Sequence, residues 1–390
     1  MKVRFETFGC RLNRAEALQR EADFLAAGWE LVHDFMDADL VVVRGCSVTS
    51  KAQAECERLV ARIRRKRPDA KVLVEGCLSA KGNGRDPLPR PDGSALPKRT
   101  ARAFLKAQDG CSCHCSFCIV PQFRGKPQST PFDDLRRRAE RLRDEAGYGE
   151  IVLTGCNLSL YSSGGKRLPD LVSALAALGG FRLRLGSIEP GAVAKETVAA
   201  VAESPNVCRS LHLSVQSASS TVLGAMRRSY GTQELESLLA RVGTLLPNCG
   251  LGCDIMTGFP GETELDFRQS AAFVARHRFS NVHAFPFSRR PGTVAASLPR
   301  QCDHETRSER AHEISDIARR NRADFAAAFR NREVEIVVED EEDVAGWTSE
   351  YLWCTVPTAK RGDFPRKSIR RVRVVSAESG KLVAAPISAL

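Results

Sequence analysis

The chain has 390 residues, 27% of them charged and 43% hydrophobic, which is an ordinary globular composition long enough for two or three domains. That balance excludes a disordered or fibrous protein, and no run approaches the roughly 18 consecutive apolar residues that a membrane span needs. Lys and Arg total 58 against 47 Asp and Glu, and the formal charge of +11 favours a polyanionic partner such as nucleic acid.

The opening segment Met1-Lys2-Val3-Arg4-Phe5-Glu6 has no apolar signal-peptide core, so a cytoplasmic location is expected. In that reducing compartment, 14 cysteines point to metal or redox chemistry rather than to disulfides. Strands are predicted at Val3 to Phe8, Leu40 to Val43 and Val72 to Val74. One helix between them is predicted to open on a capping box of Asn13 with Glu16 and to run to Gly28; a second, basic one covers Ser50 to Lys66. Each strand runs directly into a cysteine, namely Cys10, Cys46 and Cys77. Ligands of an open parallel sheet bind at the carboxyl ends of its strands, so three thiols dozens of residues apart can converge there.

Residues 78–100 carry Pro87, Pro89, Pro91 and Pro97 without an apolar period and read as a linker. From Ala101 the alternation resumes, with strands predicted at Ala103 to Leu105, Ile151 to Leu153, Arg182 to Leu185, Leu211 to Val215, Gly252 to Met256 and Val282 to Phe285. Six βα repeats suggest a partial parallel barrel whose functional groups lie at the strand carboxyl ends. A long charged helix from Asp303 to Arg332 closes it, and alternation after Val334 gives a small β domain. There, Lys360 to Arg373 sets seven basic residues against one acid, Asp363. Such a stripe suits a phosphate backbone, and a solvated face is the alternative. The expected domains are 1–85, 101–330 and 331–390.

Directly after the first barrel strand, Cys111, Cys115 and Cys118 form Cys-x3-Cys-x2-Cys. Three thiolates within eight residues can hold three corners of a cubane iron–sulfur cluster and leave one iron open. A zinc knuckle through Cys113 or His114 is the competing reading, but a closed zinc site wants four ligands in paired arms. Cys56, Cys156, Cys208, Cys249, Cys253, Cys302 and Cys354 show no ligand spacing and read as small apolar residues.

With an aromatic residue before its last cysteine, this motif resembles the radical S-adenosylmethionine (SAM) superfamily. Phe8-Gly9-Cys10-Arg11-Leu12-Asn13, Gly45-Cys46-Ser47-Val48-Thr49, Gly76-Cys77, Ile119-Val120-Pro121, Arg124-Gly125-Lys126, Leu213 to Ser217, Gly258 to Thr263 and Pro291-Gly292-Thr293 extend the resemblance to the methylthiotransferases over nearly the whole chain. The last segment resembles the TRAM domain, a small RNA-binding β-barrel. The implied fold is α/β: a truncated doubly wound parallel domain, a partial (β/α)6 radical SAM barrel and a TRAM-like barrel. The first domain is shortened, because only 33 residues separate Cys77 from Cys111.

The resemblance implies two [4Fe-4S] clusters with SAM as the further cofactor. Cys111, Cys115 and Cys118 would hold the cluster that binds and cleaves SAM; Cys10, Cys46 and Cys77 would hold one that carries the inserted sulfur. SAM contacts are expected from Gly155, Glu189, Gln216, Gly258 and Gly261, and RNA contacts from Lys367, Arg370, Arg371 and Arg373. Phe104-Leu105-Lys106 leading into Gln108-Asp109-Gly110-Cys111, with Arg11-Leu12-Asn13 after Cys10, resembles the branch acting at C2 of N6-threonylcarbamoyladenosine at tRNA position 37. The alternatives are the isopentenyladenosine branch, the ribosomal-protein aspartate branch, and a radical SAM RNA-binding relative without sulfur insertion. The expected partners are tRNA and an electron-donor protein, with no membrane, and the chain is expected to be a monomer.

Overall fold

The computed structural model describes residues 1–46, 50–78 and 95–387. The proline-rich part of the expected linker, the boundary expected at residue 85, and the motif residues Ser47 to Thr49 lie outside the described residues.

The first unit runs β1 (Lys2–Thr7), α1 (Arg11–Ala26), β2 (Glu30–Leu31), β3 (Leu40–Gly45), α2 (Ser50–Lys66) and β4 (Lys71–Gly76), with the parallel sheet ordered β2-β1-β3-β4. Val3, Phe5, Leu40 and Val42 pack with Phe24 of α1 on one face. Val41 and Val43 pack with Cys56 and Ile63 of α2 on the other. Helices on both faces explain why β3 is an unbroken apolar run. The expected capping box is not formed: α1 begins at Arg11, with Cys10 as its N-cap. Asn13 is instead fully buried, donating from Nδ2 to the Phe8 carbonyl at 2.9 Å and to the Gly45 carbonyl at 3.1 Å. The Gly45 carbonyl also accepts the Cys77 amide, so Asn13 adds a second donor there and closes the Phe8 carbonyl, a buried role that takes the place of a cap.

The second unit contains every strand expected of it. In chain order it runs β5 (Ala103–Asp109), α3 (Val120–Arg124), β6 (Gln128–Ser129), α4 (Phe132–Asp144), β7 (Glu150–Gly155), a hairpin of β8 (Ser162–Ser163) and β9 (Lys166–Arg167), α5 (Leu168–Ala177), β10 (Arg182–Leu185) and β11 (Ser187–Ile188). It continues through α6 (Ala192–Glu203), β12 (Ser210–Gln216), α7 (Ser220–Ala225), α8 (Thr232–Leu245), β13 (Gly250–Thr257), α9 (Glu264–Arg276), β14 (Asn281–Pro286) and α10 (His304–Ala327). Strands β10, β7 and β5 pair in parallel, as do β11, β12, β13 and β14, and β10 passes into β11 across Gly186. The result is an open parallel wall backed by helices. Ala15 and Leu18 of α1 pack on Phe104 and Val152, so α1 lies between the first sheet and this wall.

The last unit is a closed barrel of β15 (Glu333–Asp340), β16 (Ala345–Thr348), β17 (Trp353–Thr355), β18 (Ile369–Glu378) and β19 (Lys381–Pro386), ordered β15-β16-β17-β19-β18. It sits against the amino ends of the parallel strands. Glu150, the first residue of β7 and fully buried, pairs with Arg182 at 2.6 Å and Arg184 at 2.7 Å. Arg182 also donates to the carbonyls of Glu335 and Trp347, and Arg184 to those of Thr348 and Ser349. Burial alone would raise the Glu150 carboxyl, but the Arg184 and Arg182 charges hold it at about 2. At Gly250, the start of β13, a side-chain carbon would stand 1.9 Å from the Glu350 carbonyl oxygen, so only glycine permits this approach.

Candidate active site at the strand carboxyl ends

The cysteine loop leaves β5 at Gly110, whose φ of +67° and 2.1 Å space toward the Lys126 carbonyl admit no side chain. Gln108 pins the turn, donating to the carbonyls of Asp109 and Gly110 at 2.7 Å each while its Oε1 accepts from the Asn157 amide at 2.8 Å. Ser116 fastens the far side, its amide and hydroxyl donating to the carbonyls of Met226 and Ala225. The loop is thus held between the end of β5 and the end of α7.

It faces a cavity of about 170 Å³ lined by Cys111, Cys113, Cys115, Phe117, Cys118 and Val120, with Cys156, Asn157, Ser187, Glu189, Ser214, Gln216 and Arg228 on the other walls. Glu189 is the polar centre: Arg228 pairs with it at 2.9 Å, Asn157 Nδ2 donates at 2.6 Å, and the Cys113 thiol lies at 3.4 Å. Arg228 also donates to Cys115 Sγ at 3.1 Å and lies over the Tyr230 ring. Gln216 sits at a bulge in β12 with φ +66°, and its carboxamide oxygen is buried without a hydrogen-bond partner. Hydrogen bonding from Cys113 lowers the Cys111 thiol to about 6, whereas burial pushes Cys118 up to about 12. Among the described residues, no three His, Cys, Asp or Glu side chains lie close enough to clasp a single metal ion.

Of the residues expected to contact SAM, Glu189 and Gln216 therefore line the cavity with the three cysteines. Gly155, Gly258 and Gly261 are not among its lining residues: Gly155 packs against Gln108 and Leu158, Gly258 against Arg307 of α10, and Gly261 donates its amide to the Arg300 carbonyl. Sequence reasoning misses Asn157 and Arg228. Asn157 lies two residues past β7, where the strand-end rule could have found it. Arg228 follows the short helix α7, and no sequence spacing ties it to the site.

The second group of cysteines gathers at the carboxyl ends of the first sheet. Cys10 is exposed, while Cys46 and Cys77 are buried. A side-chain carbon on Gly9 would meet Cys46 Sγ at 2.9 Å, and the Cys77 amide donates to the Gly45 carbonyl at 3.1 Å, so the three chain segments adjoin. Arg124 Nε donates to Cys77 Sγ at 3.4 Å.

The C-terminal basic residues do not form one stripe. Lys367 turns into the joint with the barrel, its Nζ donating to the Ala146 carbonyl at 3.0 Å and lying 4.1 Å from the Tyr148 ring centre. Arg370 donates to the Asp363 carbonyl. Arg371 and Arg373 share Glu333 on the outer wall and remain exposed. The strand period of two puts Val372 into the core between those two arginines.

A family model described as the radical SAM superfamily matches residues 105–274, and one described as uncharacterized protein family UPF0004 matches residues 2–86. A threonylcarbamoyladenosine tRNA methylthiotransferase, MtaB, of Bacillus subtilis (strain 168) is 30% identical over 90% of this chain and 89% of its own. A tRNA-2-methylthio-N(6)-dimethylallyladenosine synthase of Cereibacter sphaeroides (strain ATCC 17025 / ATH 2.4.3) is 31% identical over 94% and 95%. Among solved structures, the radical SAM methyltransferase TsrM from Kitasatospora setae, with cobalamin and a [4Fe-4S] cluster bound, is 15% identical with a TM-score of 0.54 over 76% of this chain and 77% of its own, a likeness of fold.

Proposed function

Because the chain belongs to the radical SAM methylthiotransferases, we propose that it inserts a methylthio group at C2 of N6-threonylcarbamoyladenosine at position 37 of tRNA. The observation that carries the chemistry is the cavity in which the three-cysteine loop faces Glu189, Asn157, Arg228 and Gln216. The choice of nucleoside rests on the likeness to MtaB proteins over most of the chain and on the Phe104 to Cys111 segment.

Cys111, Cys115 and Cys118 would hold one [4Fe-4S] cluster, and Cys10, Cys46 and Cys77 would hold the other. When bound, the clusters and SAM supply the reducing electron, the 5′-deoxyadenosyl radical, the sulfur and the methyl group. The donor set fits: thiols line one wall, and the Arg228 guanidinium beside Cys115 offsets thiolate charge. The unpartnered Gln216 oxygen is available to accept from a ligand ammonium, while Arg228 and Asn157 fix the orientation of Glu189. Gly155, Gly258 and Gly261 act behind these residues by letting the strand-end loops pack.

Functional units of 1–85, 101–330 and 331–390 follow from this reading, acting as a monomer in the cytoplasm with a reducing protein as electron donor. No described helix is long and apolar enough to cross a membrane. Mass spectrometry of tRNA nucleosides from cells with and without the protein tests the function. Loss of the 2-methylthio form of threonylcarbamoyladenosine supports it; loss of the isopentenyladenosine derivative would move the chain to the other branch. About eight irons per reconstituted chain, rather than about four, would support two clusters.

Replacing Cys10, Cys46 and Cys77 together by alanine should remove the methylthio product while 5′-deoxyadenosine still forms, because the second cysteine group lies on the other sheet. Methylthiolated tRNA from that variant in anaerobic assays would refute a sulfur-carrying role. In the C-terminal barrel, Lys367 and Arg370 are engaged within the protein, so RNA binding falls mainly to exposed Arg371 and Arg373. Changing the latter two to Gln should flatten the log–log salt dependence of tRNA binding by up to about 0.7 to 0.9 for each phosphate that they neutralise, read by filter binding at several salt concentrations.

A further inference from the structure

Arg124 belongs to neither cysteine group, yet it touches the segments that carry both. It ends α3, the short helix that follows Cys118. A guanidinium has five N–H donors, and every one is engaged here. Nε donates to Cys77 Sγ at 3.4 Å, Nη1 to Glu16 at 3.1 Å and Asp109 at 2.9 Å, and Nη2 to Asn13 Oδ1 at 2.9 Å and Glu16 at 3.2 Å. Its side chain is only 9% exposed.

The partners are themselves anchored at the two sites. Asn13 ties the ends of β1 and β3 together, where Cys10 and Cys46 follow. Asp109 closes β5 one residue before Gly110 and accepts from that glycine's amide at 2.8 Å. Glu16 also pairs with Arg44 of β3 and Lys106 of β5, and this crowd of cations holds its carboxyl at about 2 despite burial. A single planar fork thus connects the end of the first sheet, helix α1 and the root of the SAM-binding loop.

We propose that Arg124 is a positioning residue that fixes the Cys10, Cys46 and Cys77 group against the Cys111, Cys115 and Cys118 group and sets a positive charge beside Cys77. The inference rests on reading those two groups as cluster ligands. Lysine supplies the charge but not the five-donor plane, so the two contributions separate experimentally.

The test uses reconstituted holoenzyme with Arg124→Gln and Arg124→Lys, scoring methylthio nucleoside formed per 5′-deoxyadenosine. Both variants should lower that ratio about tenfold or more, because a small misplacement of reacting centres is that costly. The second readout is the reduction potential of the N-terminal cluster, taken in a chain with Cys111, Cys115 and Cys118 all changed to alanine. There Arg124→Gln should make reduction harder, since reduction adds negative charge, while Arg124→Lys should return the potential towards the parent value. A wild-type ratio in Arg124→Lys, or an unshifted potential in Arg124→Gln, overturns the proposal. Absence of methylthio product from the unaltered holoenzyme would instead defeat the functional reading on which it rests.

Discussion

Replacing Cys115 by alanine is expected to abolish SAM cleavage, with 5′-deoxyadenosine from reconstituted, dithionite-reduced protein falling to background. Three thiolates are the fewest that leave a cubane with one defined open iron, so losing one removes the binding position instead of weakening it. Cys115 also accepts from Arg228 at 3.1 Å, so its loss removes one partner of a guanidinium that keeps Glu189, the Tyr230 hydroxyl and the Ser214 carbonyl. Cys111→Ala and Cys118→Ala should behave alike. Cys113→Ala should still take up the cluster, because Cys-x3-Cys-x2-Cys is complete without it. Native rates from Cys115→Ala would remove the assignment of the loop.

The second large effect lies at the opposite end of the strands. Glu150→Ala should destabilise the protein by about 3–5 kcal/mol, because it strands two buried guanidiniums, Arg182 and Arg184, without their shared counter-charge. Denaturant titration of the variant beside the parent measures this, and a loss under about 1 kcal/mol would show that water reaches the pair. The pH dependence has a definite sign. The Glu150 carboxyl is held at about 2, below its ordinary 4.5, so its stabilisation is fully present above the ordinary value and fades as pH falls through that window towards 2. The exposed Arg371–Glu333 pair, by contrast, is screened by solvent and should add little to stability.

Sequence reasoning reaches the strands and the cysteines for one physical reason. A strand buried on both faces is a continuous apolar run, and its carboxyl end is marked by the residue where that run stops, as at Leu40 to Cys46. Glu189 and Gln216 are legible by the same rule. What escapes depends on partners distant in the chain. Asn13 looks like a cap until the Gly45 carbonyl, 32 residues away, claims its amide. Arg182 and Arg184 alternate with leucines as an edge strand would, yet both are buried by a barrel more than 150 residues later. Lys367 reads as part of a basic stripe, but its backbone, at φ +71°, turns and its ammonium sits over Tyr148. The glycines at 258 and 261 signal tight approach, and within the chain the neighbours that meet them are Arg307 and Arg300.

The placement of the C-terminal barrel has a further result. It closes the amino ends of the parallel strands, whereas the cysteine-lined cavity opens at their carboxyl ends, and β7 between them is six residues long, roughly 20 Å at strand rise. One ligand can engage both only if it is at least that long. A free nucleoside that enters the cavity gains nothing from the second surface, while a folded polynucleotide holding both is retained by two weak attachments acting together. On the proposed RNA-binding role of the barrel, the interval between the two ends would favour a large RNA over a small metabolite before any base is read.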